Sequence, residues 1–471
     1  MFEAGTGVFA ALHWLLAFER ELLAFAAFWF CLGLADEFAL DLAWLWLRLT
    51  GRAQTRRLRP GYGKGPLTGN AAVLIPAFQE SAVIGTTVAH MLAAWPQPNL
   101  RIYVGCYAND AATLAAASSG AGDDLRVRLV VHGKSGPTTK ADCLNRLYAA
   151  LCTDESRGGT RFSTVLLHDA EDMVHPAALE AIDTELARFD FVQLPVRPEL
   201  QAGSRWIGGH YADEFAESHA KAMVTRDCLG AALPAAGVGC GVSRAALARL
   251  FQNRAALGQP GPFSPEALTE DYELGLELSR GGRGCRFLRL RDADGALVAT
   301  RSYFPGELAA AVRQKTRWVH GIAFQGWERM GWSARPVELW MALRDRRGPL
   351  TALVLAVAYL LLVVDGVLIA AEFAGWQGAA PLSPVLRAML IVSLFGFVWR
   401  AAMRAAFTAH EYGAAEGLRA VLRIPIGNII AIMAGRRALG AYLRSLRTGR
   451  VAWDKTAHEL HPASALHEAR A

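Results

Sequence analysis

The chain is poor in charge and in organised cysteine. Only 20% of its 471 residues are charged, and its seven cysteines (31, 106, 143, 152, 228, 240 and 285) are odd in number, scattered, and form no CxxC pair. That usage excludes a disulfide scaffold and fits reduced thiols in a protein facing the cytosol. Scarce charge beside 53% hydrophobic residues and a mean hydropathy of +0.20 excludes a disordered chain. No HExxH helix and no GxxxxGK[ST] loop occurs. A signal peptide is not expected, because no basic region precedes the first apolar run and no small-residue cleavage site ends it. The net charge of +6 is mild, and its arginines cluster beside apolar stretches: Arg52, Arg56, Arg57 and Arg59 after the first, Arg436, Arg437, Arg444, Arg447 and Arg450 after the last. This pattern points to a membrane surface and not to nucleic acid.

What the chain does have is apolar sequence at both ends. Residues 8–49 are dense in Leu, Ala, Phe and Trp, interrupted by Glu19, Arg20, Glu21, Asp36, Glu37 and Asp41. A bilayer crossing needs roughly 20 mostly apolar residues, so the cleanest core, 22–35, must borrow from one flank. A buried amphipathic helix is the competing reading. Residues 350–373 and 384–403 form a candidate transmembrane hairpin around a Gly/Pro-rich turn, with Asp365 and Arg387 expected to pair. Arginines after the first crossing and on both flanks of the hairpin place the middle of the chain and its end on the cytoplasmic side. A fourth crossing by residues 418–446 would export the arginine-rich end. An amphipathic helix lying in the interface is therefore the expectation there.

Residues 70–330 read as an α/β domain. Short apolar runs at 71–76, 100–105, 126–131, 163–167 and 191–194 alternate with helical stretches, the pattern of a mostly parallel sheet covered on both faces. Ligands in such sheets bind beyond the carboxyl ends of the strands. There stand Glu80, then Asn109 and Asp110, then His168, Asp169, Glu171, Asp172 and His175. Asp169 and Glu171, one residue apart, suit one hard divalent cation through oxygen ligands. Zinc on His168 and His175 and a merely solvated acidic loop are the alternatives. Lys140 at a helix start suits a phosphate. Gly237, Gly239 and Gly241 lack the spacing of a dinucleotide loop. Glu270 and Asp271 open a helix whose dipole favours ionised carboxylates, and Asp271 is a candidate general base; simple capping by Thr269 explains the same residues. Gln314, Arg317 and Trp318 share neighbouring helical faces and offer an amide, a cation and an aromatic plane for a sugar and a diphosphate.

Taken in order, IPAFQE, YAND, KADCLN, DAED, TED and QKTRW resemble the signatures of processive family 2 glycosyltransferases with a GT-A fold, such as the cellulose- and hyaluronan-type synthases. The resemblance covers about residues 70–330. The ending Trp453-Asp454-Lys455-Thr456-Ala457-His458 is further similar to NfrB-type inner-membrane glycosyltransferases linked to phage adsorption and exopolysaccharide. Members of that type often carry a cyclic-di-GMP-binding module after this point, and none is expected within these 471 residues.

The resemblance implies an α/β, GT-A-like (Rossmann-like) cytoplasmic domain with N- and C-terminal transmembrane helices in a bacterial inner membrane. It implies a UDP-sugar donor whose nucleoside meets Glu80, Asn109 and Asp110, with Lys140 near the diphosphate and Mg²⁺ or Mn²⁺ on Asp169 and Glu171, here DxE where the family has DxD. Asp271, with Glu270 beside it, would deprotonate the acceptor; Gln314, Arg317 and Trp318 would cradle the leaving diphosphate and the acceptor glycan. Gly239, Cys240 and Gly241 match the acceptor-facing loop more loosely. The expected partners are the nucleotide sugar, a glycan acceptor and membrane lipid. Three crossings are few for an export channel, so self-association or an outer-membrane secretion partner is expected too. The expected organisation is a membrane segment (1–50), a basic linker (51–69), the transferase domain (70–330), an interfacial linker (331–348), a transmembrane hairpin (349–406), an interfacial amphipathic helix (407–450) and a tail (451–471).

Overall fold

The computed structural model describes residues 2–378, 381–448 and 460–463; the Trp453–His458 motif lies outside them. The chain opens with one helix, α1 (Phe2–Leu49), about 72 Å long at 1.5 Å per residue and so more than twice a bilayer core. Strand β1 (Arg56–Arg57) follows. The α/β region then runs β2 (Asn70–Pro76), α2 (Ile84–Ala94), β3 (Leu100–Tyr107), α3 (Ala111–Ala121), β4 (Val127–His132), α4 (Lys140–Gly158), β5 (Phe162–Leu167), α5 (Ala178–Leu186), β6 (Phe191–Gln193) and β7 (Val196–Pro198). It continues through α6 (Ile207–Glu217), α7 (Met223–Cys228), β8 (Cys240–Ser243), α8 (Arg244–Ala255), α9 (Glu270–Arg280), β9 (Cys285–Phe287), β10 (Leu290–Arg291) and β11 (Thr300–Ser302). Helices α10 (Leu308–Val319), α11 (Gly326–Met330), α12 (Pro336–Arg346), α13 (Gly348–Phe373), α14 (Pro384–Tyr412) and α15 (Ala414–Thr448) complete it.

The main sheet has seven strands in the order β4-β3-β2-β5-β8-β6-β9. All neighbours are parallel except β8, which runs antiparallel to both β5 and β6. Side chains alternate across the pleat. Ala71, Val73 and Ile75 of β2 face a core built with α2 and α5, while Ala72 and Leu74 face one built with α4, α8 and α9. The parallel strands β2 to β6 match the apolar runs read from the sequence, whereas the three-residue parallel strand β9 matches none. The antiparallel β8 was not among them, because it is four residues long and preceded by glycines.

Four helices (α1, α13, α14 and α15) are long and apolar enough to cross a membrane. The acidic residues in the second half of α1, Asp36, Glu37 and Asp41, are met by ion pairs with later parts of the chain. Arg344 and Arg347 both pair with Asp36 and Glu37. Lys221, buried at the junction of α6 and α7, holds Asp41 at 2.5 Å and Glu217 at 2.8 Å. Arg400 of α14 reaches Glu217 at 2.6 Å. This network welds α1 and α14 to the α/β region.

Two expectations need correction. Asp365 does not pair with Arg387: the Arg387 guanidinium turns to the Leu382 carbonyl, whereas Asp365 lies in the field of Arg20. The reason is packing, since Leu12, Leu15 and Leu16 of α1 dock on Val364 and Leu368 of α13. The hairpin's second helix also runs on past residue 406 to Tyr412, whose hydroxyl donates to Pro198 O at 2.7 Å, and the break falls at Gly413 with φ +91°. Helix α15 touches the α/β region repeatedly. Arg423 is buried against Asp213 at 2.7 Å, Ile430 packs on Tyr211 and Val312, and the Tyr442 ring stacks on Phe324 at 4.6 Å.

Replacing Lys221 by Ala would strip buried Asp41 of its ion-pair partner, while Glu217 would keep Arg400. The expected loss is about 3–5 kcal/mol, read as a fall in unfolding midpoint of the detergent-solubilised chain; an unchanged midpoint would show that the junction carries no such load.

Candidate active site

The turn after β2 is held in an unusual shape. Gln79 has φ +54°, and its N–H donates to Asp110 Oδ2 at 2.5 Å while Glu80 N–H donates to Thr113 Oγ1 at 2.9 Å. Asp110 also caps α3 by accepting from Thr113 N. Asn109 exchanges two 2.8 Å hydrogen bonds with Gly136, fixing the loop before α4 against Phe78, where a Cβ at 136 would collide with the ring. Glu80 lines the central cleft, whereas Asn109 and Asp110 do not. Asn109 and Asp110 spend these hydrogen bonds on the backbone of the adjoining loops and so position them.

Thr139 and Asp142 form a capping box that starts α4 at Lys140. The Lys140 ammonium sits 2.5 Å from Asp169 Oδ1 and 4.0 Å from Glu270 Oε1. Asp169 is presented by the loop after β5, and that loop is braced from beneath. Asp172 Oδ2 accepts from Asp169 N at 3.0 Å and lies 2.8 Å from His168 Nδ1, both side chains being buried. His90 meets Val174 O, Trp95 donates to His175 O, and His461 reaches Asp172 O at 3.3 Å. The zinc alternative finds no ligand set here: His175 uses both ring nitrogens, Nδ1 on Ala177 N and Nε2 on Asp292, and no group of three or more His, Cys, Asp or Glu is placed to hold a metal among the described residues.

Across the cleft, α9 brings Glu270 and Asp271. Thr269 does not cap this helix, and its hydroxyl is buried without a partner, so capping does not account for the motif. The dipole expectation is also overruled. Burial, then the neighbouring Asp271, pushes the Glu270 carboxyl up to about 7; burial raises Asp271 as well, against the pull of Lys140. Burial opposes the charge on Lys140 itself, yet Asp169, Glu270 and Asp271 together hold its pKa above the usual ammonium range. Gly237, with φ +77°, closes over this group. A Cβ there would lie 2.6 Å from Asp271 Oδ2 and 3.2 Å from Lys140 Nζ, so only glycine fits both the backbone and the space. Gly239 (φ +60°) leads into β8 behind it.

Helix α10 forms the remaining wall with Gln314, Arg317 and Trp318. Gln314 Oε1 is buried without a partner. Trp318 closes an aromatic group with Tyr211, Phe215 and Phe304, ring centroids 6.1–6.5 Å away. Past α10 the chain passes through a π-helical turn, His320–Gln325, a feature often found beside functional sites. Of the eleven residues singled out in the sequence, all but Asn109 and Asp110 line one cleft of about 540 Å³. Gly237 and Asp172 add to this set, the first closing over Asp271 and Lys140 and the second bracing Asp169.

Among the described residues no group of three or more His, Cys, Asp or Glu side chains is placed to hold a metal alone. Asp169 and Glu171 nevertheless fit a hard cation shared with a substrate phosphate. They offer oxygen only, and the raised Glu270 and Asp271 show that carboxylates at this edge outnumber the cations that balance them.

Residues 69–321 match the family model described as glycosyltransferase like family 2. Bacteriophage adsorption protein B of Escherichia coli strain K12 and bacteriophage N4 adsorption protein B of E. coli O157:H7 are each 33% identical over 472 residues, covering 95% of this chain. The chain spans 63% of the length of these curated relatives. Among solved structures, a mannosyltransferase from Pyrobaculum calidifontis in complex with GDP-Man and Mn²⁺ is 15% identical, with a TM-score of 0.48 over 87% of this chain and 99% of that one. Glucosyl-3-phosphoglycerate synthase from Mycobacterium tuberculosis, in complex with Mn²⁺, UDP and phosphoglyceric acid, is 18% identical, with a TM-score of 0.37 over 59% and 87%.

Two outcomes follow from this geometry. The folded metal-free protein holds the Glu270 proton more tightly than the unfolded chain does, whose ordinary value is 4.5. Its stability therefore falls as pH rises from about 4.5 to about 7, by about 3 kcal/mol, and then levels off. Urea unfolding at about pH 5 and about pH 7.5 should show this slope in the wild type and a flatter one in Glu270→Gln; identical slopes would refute the assignment. Gly237→Ala should cost about 1–3 kcal/mol in backbone strain and weaken donor binding, measured by calorimetric titration.

Proposed function

The chain belongs to the family 2 glycosyltransferases, and from that premise we propose that it is a membrane-bound inverting enzyme moving a hexose or N-acetylhexosamine from a UDP-sugar to a growing polysaccharide. The observation that carries the proposal is the convergence of Lys140, Asp169, Glu171, Asp271, Gln314, Arg317 and Trp318 on one cleft at the carboxyl edge of the sheet. Mg²⁺ or Mn²⁺, held by Asp169 and Glu171, supplies countercharge for the diphosphate; both solved structures above contain Mn²⁺ with a nucleotide or nucleotide sugar.

The chain's own residues do the rest. Lys140 and Arg317 attract the diphosphate and stabilise the charge it gains on leaving. The acceptor hydroxyl attacks the anomeric carbon as the bond to the diphosphate oxygen breaks, and its proton passes to an Asp271 carboxylate oxygen. Attack from the face opposite the leaving group inverts the anomeric centre. Trp318, rigid within its aromatic group, offers a flat surface to the acceptor sugar. Asn109 and Asp110 act at one remove by holding the loops that shape the donor pocket.

For the membrane, α1, α13 and α14 cross a bacterial inner membrane with the catalytic region on the cytoplasmic side, in line with the arginines at their ends. Helix α15 lies along the interface instead. Between Arg423 and Tyr442 it covers about 28 Å, yet both residues meet the α/β region or its continuation. A helix leaving that region to cross the bilayer would lose one of those contacts. Three crossings bound little channel, so export of polymer calls for self-association or an outer-membrane partner. The names of the curated relatives favour a second reading, a component used in phage adsorption. The complete set of cleft carboxylates speaks against a purely structural version of it.

Purified membranes offered UDP-glucose, UDP-N-acetylglucosamine and related donors should release UDP with one of them, dependent on Mn²⁺ or Mg²⁺. Asp271→Asn should slow release about a hundred- to ten-thousand-fold. Wild-type rates in that variant would remove Asp271 from the role of base. A lipid-linked product that does not lengthen with time would replace polymerisation by transfer to a polyprenyl phosphate.

A further inference from the structure

On the far side of α10 from the aromatic group, a second cleft of about 450 Å³ opens between α10 and α15. Arg313 and Arg317 enter it from α10, and Arg436, Arg437 and Arg444 from α15, while no carboxylate among the described residues lines it. Arg313, Arg436, Arg437 and Arg444 make no hydrogen bond or ion pair through their side chains among the described residues. Arg226, Arg244, Arg329, Arg344 and Arg423, by contrast, all meet carboxylates. At the base of the cleft His320 is buried, 4% exposed, and its Nε2 has no partner. Four unpaired guanidinium groups around a concave site with an unsatisfied imidazole nitrogen call for an anion with several oxygen acceptors. The neighbouring face of α15 displays Leu439, Leu443 and Leu446 to the outside, an apolar flank beside the cations of the kind that interfacial helices present to lipid.

We propose that this cleft binds the phosphate headgroup of an anionic membrane lipid, with the guanidinium groups on the phosphate and the exposed leucines of α15 against the acyl chains. The proposal rests on the reading that α15 lies in the interface. Arg317 lines both this cleft and the catalytic one, so the bound headgroup stands one side chain away from the site of transfer.

The test uses the full chain in phosphatidylcholine nanodiscs with and without phosphatidylglycerol, and native mass spectrometry to count retained lipid. The wild type should retain phosphatidylglycerol. The variant Arg313→Gln/Arg436→Gln/Arg437→Gln/Arg444→Gln, altered at four exposed positions, should retain at least about tenfold less, with phosphatidylcholine retention and basal UDP release in pure phosphatidylcholine unchanged. Equal retention of phosphatidylglycerol by variant and wild type would overturn the proposal. So would its displacement by an equal amount of inorganic phosphate, which would mark a site for soluble phosphate. Should the quadruple variant fail to fold, Arg436→Gln/Arg437→Gln alone should show an intermediate loss, and none would overturn the proposal. Labelling of Ser445→Cys by an impermeant maleimide, above the background of the native cysteines, reports the position of α15 separately. Labelling from the catalytic side with unchanged lipid retention defeats the lipid site only, whereas labelling solely from the opposite side defeats the placement of α15 and the site together.

Discussion

The ammonium of Lys140 lies among Asp169, Glu270 and Asp271 at the carboxyl edge of the sheet, and the charges there do not balance. Asp169, Glu171, Glu270 and Asp271 share the lining of one cleft with Lys140 and Arg317. Like charges that are desolvated together raise one another's pKa, and this is what Glu270 and Asp271 display. Much of the surrounding structure serves to keep this unfavourable set in place: the capping box that aims Lys140, the buried His168–Asp172 pair beneath Asp169, and the glycine at 237 that lets the backbone close over Asp271 and Lys140. A site that is short of positive charge is adapted to a ligand that brings its own.

The second constraint is mechanical. Charged residues inside apolar helices are costly unless paired, and α1 carries Asp36, Glu37 and Asp41 in its second half. Each is met by a cation from the α/β region or from the helices that follow it. Arg344 links the two constraints directly, since it pairs with α1 and also lines the catalytic cleft, as does Asp345, which holds Arg226 through two oxygens at 2.8 and 2.9 Å. The floor of the cleft is thus part of the junction with the membrane helices, so a shift of α1 is felt at the site of chemistry.

How far this was legible in the sequence depends on the range of the interaction. The longer parallel strands carry their pattern locally as short apolar runs, and strand polarity alone brings the residues at their carboxyl ends to one edge of the sheet. Lys140 and Asp169 could be named without knowing that they touch. The failures are all long-range. Asp365 and Arg387 are close in sequence and were expected to pair, but the packing of α1 on α13 puts Arg20 beside Asp365 instead. Asn109 and Asp110 stand in a motif; only the fold shows that they also bond Gly136 and Gln79 and so hold the neighbouring loops. The helix-dipole argument for Glu270 and Asp271 omitted burial, whose magnitude a sequence does not carry.

A net charge of +6 on 471 residues describes no region of this protein. The acidic excess is concentrated at the strand ends and within α1, where it is enclosed. The basic excess is displaced outward to the ends of the membrane helices and to the outer face of α15, where Arg436, Arg437 and Arg444 stand free of carboxylates. Had the two populations been mixed, they would have neutralised one another in ordinary surface pairs worth little to stability. Kept apart, they perform different tasks. The enclosed carboxylates are strongly coupled because little water screens them, which makes them responsive to a cation and a diphosphate. On the proposed interfacial placement of α15, the outer arginines face the negative bilayer surface, and their attraction would hold the catalytic region against the membrane. Arg317 stands at the boundary between the two populations, lining both clefts, which makes it the shortest physical path by which events at the membrane face reach the reacting groups.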